Sequence, residues 1–160
     1  MSSCCSQSDA VRIARTCPVG STPGKEVDLQ TVKALLREHP LRRISALQHY
    51  FCPEPTCEVV YFDEAGVVYQ KDDVRVAVWQ KEASGCRMIC YCFDENEADM
   101  LAECEQTGTT AAADRVRAHI AAGRCACDVR NPRGACCLGD VLAAVARIEE
   151  TLAAKTPIRS

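Results

Sequence analysis

The 160-residue sequence lacks the marks of several common protein classes. No stretch approaches ~18 consecutive apolar residues, so the sequence predicts no membrane-spanning helix. Basic residues are not in excess, since 19 Lys and Arg stand against 22 Asp and Glu, and no basic stripe is present. We therefore do not expect a nucleic-acid binder held by phosphate contacts. The polar N-terminus is not a signal peptide, which predicts a cytoplasmic protein.

Signs of a substrate-converting active site are also missing. The sequence contains no recognisable nucleophile–base pair and no glycine-rich phosphate loop. Its cysteines never occur at the Cys-x-x-Cys spacing of thioredoxin-type dithiols. We therefore expect a binding or electron-transfer module rather than a conventional enzyme.

Cysteine, in contrast, is abundant, with 13 residues in the chain beside three histidines. Such a density indicates a disulfide scaffold, a metal protein or a redox protein. A disulfide scaffold requires an export signal, which this sequence lacks, and an odd number of cysteines argues against complete pairing. Thiolate metal binding is the favoured interpretation for a chain of this kind.

Hydrophobic patterning divides the chain into three parts. Residues 1–16 are polar and are interpreted as a flexible tail. Residues 17–82 combine a helical segment with strand-like runs, whereas residues 83–155 show helical periodicity. The sequence therefore predicts an α+β protein with a β-rich front half and an all-α rear half.

Several elements are predicted within the front half. A helix begins after Val27 and is expected to stop at His39-Pro40. The runs Val59–Phe62 and Val67–Tyr69 predict a hairpin, with Gly66 supplying the turn geometry. A further half-buried strand is predicted from three alternating valines, Val74, Val76 and Val78.

Three helices are predicted in the rear half. The first spans about 95–106, the second runs from the Thr109-Thr110 cap to Gly123, and the last covers about 138–154. Residues 124–137, between the second and third helices, are expected to form a loop.

The rear half also contains three close cysteine groups in loops or just before predicted helices: Cys90/Cys92, Cys125/Cys127 and Cys136/Cys137. Buried free thiols used for packing are the simpler interpretation, and it suits Cys86 and Cys104. It does not explain paired groups in loops. A [2Fe–2S] cluster takes four thiolates, and helix N-termini favour such an anionic group. The pattern therefore favours an iron–sulfur site.

Longer motifs resemble the N-terminal domain of CopZ-type copper chaperones, whose cluster-binding half is similar to bacterioferritin-associated ferredoxin. The rear motifs are Cys90-Tyr91-Cys92-Phe93 and Asn131-Pro132-Arg133-Gly134-Ala135-Cys136-Cys137. The front motifs are Cys17-Pro18-Val19, Gly24-Lys25 and the segment Tyr50–Phe62. The resemblance covers about residues 17–147 and implies a zinc-ribbon-like front half and a helix-turn-helix rear half.

This resemblance implies one [2Fe–2S] cluster in the rear half. Its ligands would be Cys90, Cys92, Cys127 and one of the adjacent pair Cys136 and Cys137, with Cys137 preferred. Cys125 is an additional thiol that could also serve as a ligand.

The resemblance also implies a mononuclear zinc in the front half, bound by Cys17, Cys52 and Cys57. The family pattern Cys-Pro-x-Cys is broken here, because Gly20 stands at its second cysteine. Structural zinc sites use four ligands, so a fourth is needed. It could come from Cys4, Cys5, His49 or water. Alternatively, the zinc has been lost, or Cys4-Cys5 forms a separate labile thiol pair.

The leading interpretation is a cytoplasmic [2Fe–2S] and zinc protein that passes single electrons to a redox or metal-handling partner. The resemblance associates it with copper or mercury handling, including reduction of Cu(II). The alternative is a thiol-rich buffer or metallochaperone for Cu(I), Hg(II) or zinc, and a third interpretation is a zinc-only domain. We expect the chain to lack the family's C-terminal heavy-metal-associated domain, because no Met-x-Cys-x-x-Cys loop occurs in the sequence.

Overall fold

Two groups of secondary-structure elements follow each other in the computed structural model, which describes residues 15–155. The front group comprises β1 (Lys25–Val27), α1 (Leu29–Leu35), α2 (Glu38–Leu41), β2 (His49–Phe51), β3 (Val59–Asp63), β4 (Val68–Gln70) and two 3₁₀ turns, Lys71–Asp73 and Trp79–Lys81. The rear group comprises β5 (Met88–Cys90), β6 (Glu95–Asn96), α3 (Glu97–Thr107), α4 (Ala112–Ala121), α5 (Cys127–Arg130) and α6 (Leu138–Lys155). The predicted α+β class with a β-rich front half is confirmed.

The front sheet is antiparallel in the order β1-β2-β3-β4 and is covered on both faces. Successive side chains of a strand point to opposite faces. Phe51 and Tyr61 pair across β2 and β3 and pack in one core with Val32 of α1. Tyr50 and Phe62 stack on the other face, with ring centroids 5.3 Å apart, in the cluster that contains three cysteines. The sheet thus separates a helix-covered face from a cysteine-lined face.

The predicted hairpin is confirmed by the pairing of β3 with β4, and Gly66 in the turn has a φ of +84°. The predicted end of the first helix is wrong. Helix α1 ends at Leu35, and the chain then starts α2 with Pro40 inside it. Pro40 is the third residue of α2, where the backbone N–H has no partner within the helix, so proline is tolerated there.

The predicted strand at Val74, Val76 and Val78 is also wrong. Only Val74 makes a β-bridge, with Leu36 at the end of α1. The neighbouring Arg75 N–H donates to the carbonyl of Leu35 at 2.8 Å. The 3₁₀ turn after β4 leads the chain away from the sheet, so the alternation reflects burial against α1 rather than pairing in the sheet.

The three predicted rear helices are confirmed as α3, α4 and α6, within a few residues at their ends. The rear half is nevertheless not all-α, because β5 and β6 form a two-stranded ribbon and α5 lies within the predicted 124–137 loop. Elements this short give no periodic signal in the sequence. Within residues 15–155, no helix combines the length and apolar character needed to traverse a bilayer.

The two halves meet where α5 and the loop after it lie against the front half. The hydroxyl of Thr31 in α1 donates to the carbonyl of Asp128 at 2.6 Å. The hydroxyl of Tyr61 in β3 donates to the carbonyl of Pro132 at 2.5 Å. These contacts hold α5 and the following loop, the segment that contains Cys127 and Cys137, against the front half.

Candidate metal centres

Three cysteines meet on the cysteine-lined face of the front sheet. Cys17 lies in the turn before β1, Cys52 directly follows β2, and Cys57 lies in the loop between β2 and β3. Their sulfur atoms all lie within 4.8 Å of one another, and the residues are only 1%, 0% and 7% exposed. We call this group the front triad. It contains the three cysteines, Cys17, Cys52 and Cys57, that the family resemblance implies as zinc ligands.

Local backbone bonds position the sulfur atoms of the front triad. The Cys17 N–H donates to Thr22 at 2.9 Å, and the Cys52 N–H continues the β2–β3 ladder to Val60 at 2.9 Å. Burial raises the pKa of Cys52 to about 12. Burial also acts on Cys17, but backbone N–H donors, including Gly20 at 3.4 Å, outweigh it and leave the Cys17 pKa lowered. These N–H donors therefore favour the thiolate form of Cys17 relative to an ordinary cysteine.

Gly20 faces the front triad directly. A Cβ atom at this position would lie 3.0 Å from the sulfur of Cys57 and 3.7 Å from the sulfur of Cys52. A side chain at position 20 would thus enter the space between the thiols. This is the position at which the family pattern has its second cysteine.

Lys81 is a neighbour of the triad that no sequence pattern predicts. It is only 7% exposed, and its Nζ donates to the carbonyls of Glu54 at 2.7 Å and Cys57 at 3.0 Å. Lysine is almost never buried without partners. Its positive charge lowers the pKa of Cys52, against the larger effect of burial. No local pattern marked Lys81, because its partners lie more than 20 residues earlier in the chain.

His49, a candidate fourth ligand, is not brought to the triad. It lies in β2 three residues before Cys52, and that spacing places the two side chains on opposite faces of the sheet. The His49 ring lies 6.1 Å from that of Tyr69, and its Nδ1 is 2.8 Å from the carbonyl oxygen of Leu47. The other two candidates, Cys4 and Cys5, lie outside the described residues.

Five cysteines meet in the rear half. They come from the ribbon and its turn, from the start of α5, and from the residue before α6: Cys90, Cys92, Cys125, Cys127 and Cys137. We call them the rear group.

The rear group contains two close pairs that join distant segments. The sulfur of Cys137 donates to Cys90 at 2.8 Å, and the sulfurs of Cys92 and Cys127 are 3.6 Å apart. Both distances exceed the ~2.05 Å of a disulfide, and all four are free thiols. Cys125 lies 3.3 Å from Cys127 but is exposed. Cys137 also interacts with Cys127, which joins the two pairs. The structure thus brings together Cys90, Cys92, Cys127 and Cys137, the preferred cluster ligands, and adds Cys125.

The adjacent cysteines before α6 differ in placement. Cys137 is 1% exposed and bonded to Cys90, whereas Cys136 is exposed. Cys86 and Cys104 lie outside both groups. Cys104 is buried in α3, as expected for a packing residue, whereas Cys86 is exposed, so the packing role predicted for it is wrong.

Hydrogen bonds to sulfur and burial shift the pKa values of the rear-group thiols. The hydrogen bond from Cys137, together with backbone donors at Phe93 and Cys92, lowers the pKa of Cys90 to about 7 despite burial. The same bond and burial raise the pKa of Cys137. The Ala126 N–H donates to the sulfur of Cys92 at 3.3 Å. The Cys137 thiol donates its proton toward Cys90, and a metal bound by both sulfurs would displace that proton.

The donor set of the rear group fits a [2Fe–2S] cluster. Such a cluster takes four cysteine thiolates, two on each iron. Four thiols stand here in two close pairs, and Cys90 and Cys137 are buried. The donor type of the front triad fits zinc, because thiolate sulfur is a common zinc ligand. The triad supplies three donors, whereas a structural zinc site uses four.

Side chains between the rear cysteines hold their loops in place. The hydroxyl of Tyr91 donates to the carbonyl of Ala77 at 2.6 Å and accepts the Trp79 N–H at 3.0 Å. The buried side chain of Asn131 donates to Ala135 at 2.7 Å and accepts the Arg133 N–H at 3.1 Å. No local sequence pattern marks Tyr91 or Tyr61, because their hydrogen-bond partners lie in other segments of the chain.

Comparisons with known proteins relate this chain to one family. Residues 14–75 match the CopZ family described as a zinc binding domain. The copper chaperone CopZ of Archaeoglobus fulgidus is 36% identical over 121 residues, which are 76% of this chain and 57% of that protein. The X-ray structure of the Archaeoglobus fulgidus CopZ N-terminal domain matches with a TM-score of 0.65 and 33% identity, covering 80% of this chain and 95% of that domain. The chain thus spans little more than half the length of its curated relative, but nearly all of that relative's N-terminal domain.

Proposed function

The chain belongs to the family of CopZ-type N-terminal domains, and from this premise we propose that it holds a [2Fe–2S] cluster beside zinc and passes single electrons to a partner. The front half carries the zinc-binding domain of the family. The cluster ligands are Cys90, Cys92, Cys127 and Cys137. The partner is a redox or metal-handling protein within copper or mercury handling.

The convergence of the rear cysteines carries this proposal. Two thiol pairs, with sulfur separations of 2.8 and 3.6 Å, join segments that lie 47 and 35 residues apart in the chain. Packing alone gives no reason for two such pairs to adjoin each other in one site. A bound [2Fe–2S] cluster supplies one-electron redox chemistry. We place the protein in the cytoplasm, where thiol ligands stay reduced.

The surroundings of the rear group suit electron transfer. The Ala126 N–H donates to the sulfur of Cys92, and hydrogen bonds to ligand sulfur tune the potential of such centres. Cys90 and Cys137 are buried, so one side of the site is shielded from solvent. Cys125 is exposed beside Cys127, which places the other side close to the surface. A partner could therefore approach on the Cys125 side.

A thiol-rich metal buffer is the second candidate. It is favoured by Cys125 and Cys136, which are exposed thiols beyond the four that a cluster needs. Soft thiolates select Cu(I), Hg(II) and zinc. Binding of more than one soft metal ion per chain, with the iron content unchanged, would support it.

The test is anaerobic purification of the full chain with iron, sulfide and zinc analysis. We expect about two irons and two sulfides per chain, zinc, and a paramagnetic signal after reduction with dithionite. Cys92→Ser should lose iron. Cys86→Ser, an exposed cysteine outside the rear group, should keep it. Zinc without iron in the wild-type chain, or unchanged iron in Cys92→Ser, would overturn the proposal.

A further inference from the structure

We infer that the front triad is a three-thiolate zinc site whose fourth coordination position opens toward Gly20 and takes an exchangeable neutral donor from solution. The inference rests on the zinc assignment proposed above. It assigns this donor class, water or an imidazole-like nitrogen, to a position that four-cysteine zinc sites close with protein sulfur.

The open position follows from the absence of a side chain at Gly20. A Cβ there would lie 3.0 Å from the sulfur of Cys57 and 3.7 Å from that of Cys52, so a side chain would point between the thiols. Gly20 is half-buried, unlike the three cysteines, which are buried. Gly20 is therefore the most solvent-exposed of the four residues that meet here.

The other side chains that could donate to zinc near this position either make hydrogen bonds of their own or lie on the opposite face of the sheet. Among residues 15–155, no fourth His, Cys, Asp or Glu joins the triad. The Glu54 carboxylate accepts the Thr56 hydroxyl at 2.9 Å and the Thr22 hydroxyl at 3.5 Å. His49 lies on the opposite face of the sheet. Zinc sites with three protein ligands keep an exchangeable fourth position.

Charge balance favours a neutral donor. Three thiolates around a divalent ion carry one net negative charge, and the ammonium of Lys81, bonded to the carbonyl of Cys57 at 3.0 Å, offsets it. An anionic fourth ligand would add a second, uncompensated negative charge beside buried sulfurs, which is costly. The three thiolates, whose charge is already balanced by the zinc ion and Lys81, therefore disfavour an anion at the open position.

Zinc K-edge X-ray absorption of the purified full chain tests the inference, because it counts sulfur neighbours of zinc independently of iron. We expect three sulfurs and one lighter atom in the wild type, with added imidazole appearing in the zinc shell. Gly20→Cys should shift the count to four sulfurs and abolish the imidazole response. Gly20→Ala, which adds the same Cβ without sulfur, should keep three.

The outcomes separate this inference from the proposed function. A chain without zinc would contradict the zinc assignment itself. Zinc with four sulfurs in the wild type, falling to three in Cys4→Ser/Cys5→Ser, would show that the chain closes its own site and would overturn the inference alone. Failure of Gly20→Cys to fold would leave the wild-type sulfur count and the imidazole response to decide.

Discussion

The phenol of Tyr61 in the front sheet donates a 2.5 Å hydrogen bond to the carbonyl of Pro132, in the loop between Cys127 and Cys137. Tyr61 is fully buried, and burial raises its pKa, so the phenol remains a donor. Thirty residues further on, Tyr91 reaches back from between Cys90 and Cys92 to Ala77. The front half therefore holds both cysteine-bearing segments of the rear group.

We expect Tyr61→Phe to destabilise the protein and loosen the rear site. The change leaves the buried carbonyl of Pro132 without its partner, which costs about 1–3 kcal/mol. The free energy of unfolding should fall by this amount, and iron should be lost faster to a chelator. Chemical denaturation and the rate of iron release measure the two effects.

Tyr50→Phe is the matched control for that experiment. Tyr50 is also buried in the front sheet, but its hydroxyl makes no hydrogen bond within residues 15–155. Its replacement should change neither quantity appreciably. Equal iron release in both variants would refute the role given to Tyr61.

Sequence patterns predicted local features well and distant contacts poorly. The hairpin β3–β4 was predictable because its alternation and its Gly66 turn lie within 12 residues. The cysteines proposed as ligands in the two halves came from the family resemblance, and the structure brings them close together. The strand predicted at Val74–Val78 was wrong, because alternation reports one-sided burial and does not identify a pairing partner. The roles of Lys81 and Tyr61 were hidden because their partners lie 27 and 71 residues away.

Lys81→Met should weaken zinc binding by the front triad. The change removes the positive charge beside the thiols and leaves the carbonyls of Glu54 and Cys57 without their donor. Loss of such an outer partner typically costs 10–100-fold in metal affinity, roughly the loss expected here. Competition with a coloured zinc chelator measures it. Lys71→Met, which removes a partly exposed lysine paired with Glu58, should leave the affinity unchanged.

Replacing Cys125 and Cys127 separately should distinguish a ligand from an additional thiol. Cys127 is buried at the start of α5, and its sulfur approaches that of Cys92, whereas Cys125 is exposed. We expect Cys127→Ser to lose most of its iron and Cys125→Ser to retain it with a nearly unchanged absorption spectrum. The reverse pattern would assign the ligand to Cys125.

Gly134→Ala should disturb the junction between the halves more than the same change at another glycine of similar backbone geometry. Gly134 has a φ of +67°, and an added Cβ would lie 2.9 Å from the hydroxyl of Thr31, the group that bonds to Asp128. Gly123 has a φ of +70° but no heavy atom within 4 Å of an added Cβ. In both variants an alanine must adopt a positive φ, which costs of order 1–3 kcal/mol. Any further loss of stability in Gly134→Ala therefore measures the steric contact with Thr31 of α1. We expect Gly134→Ala to unfold at a lower temperature than Gly123→Ala and to release iron faster. Equal unfolding temperatures and equal iron release in the two variants would show that the Thr31 contact does not constrain the cysteine-bearing loop.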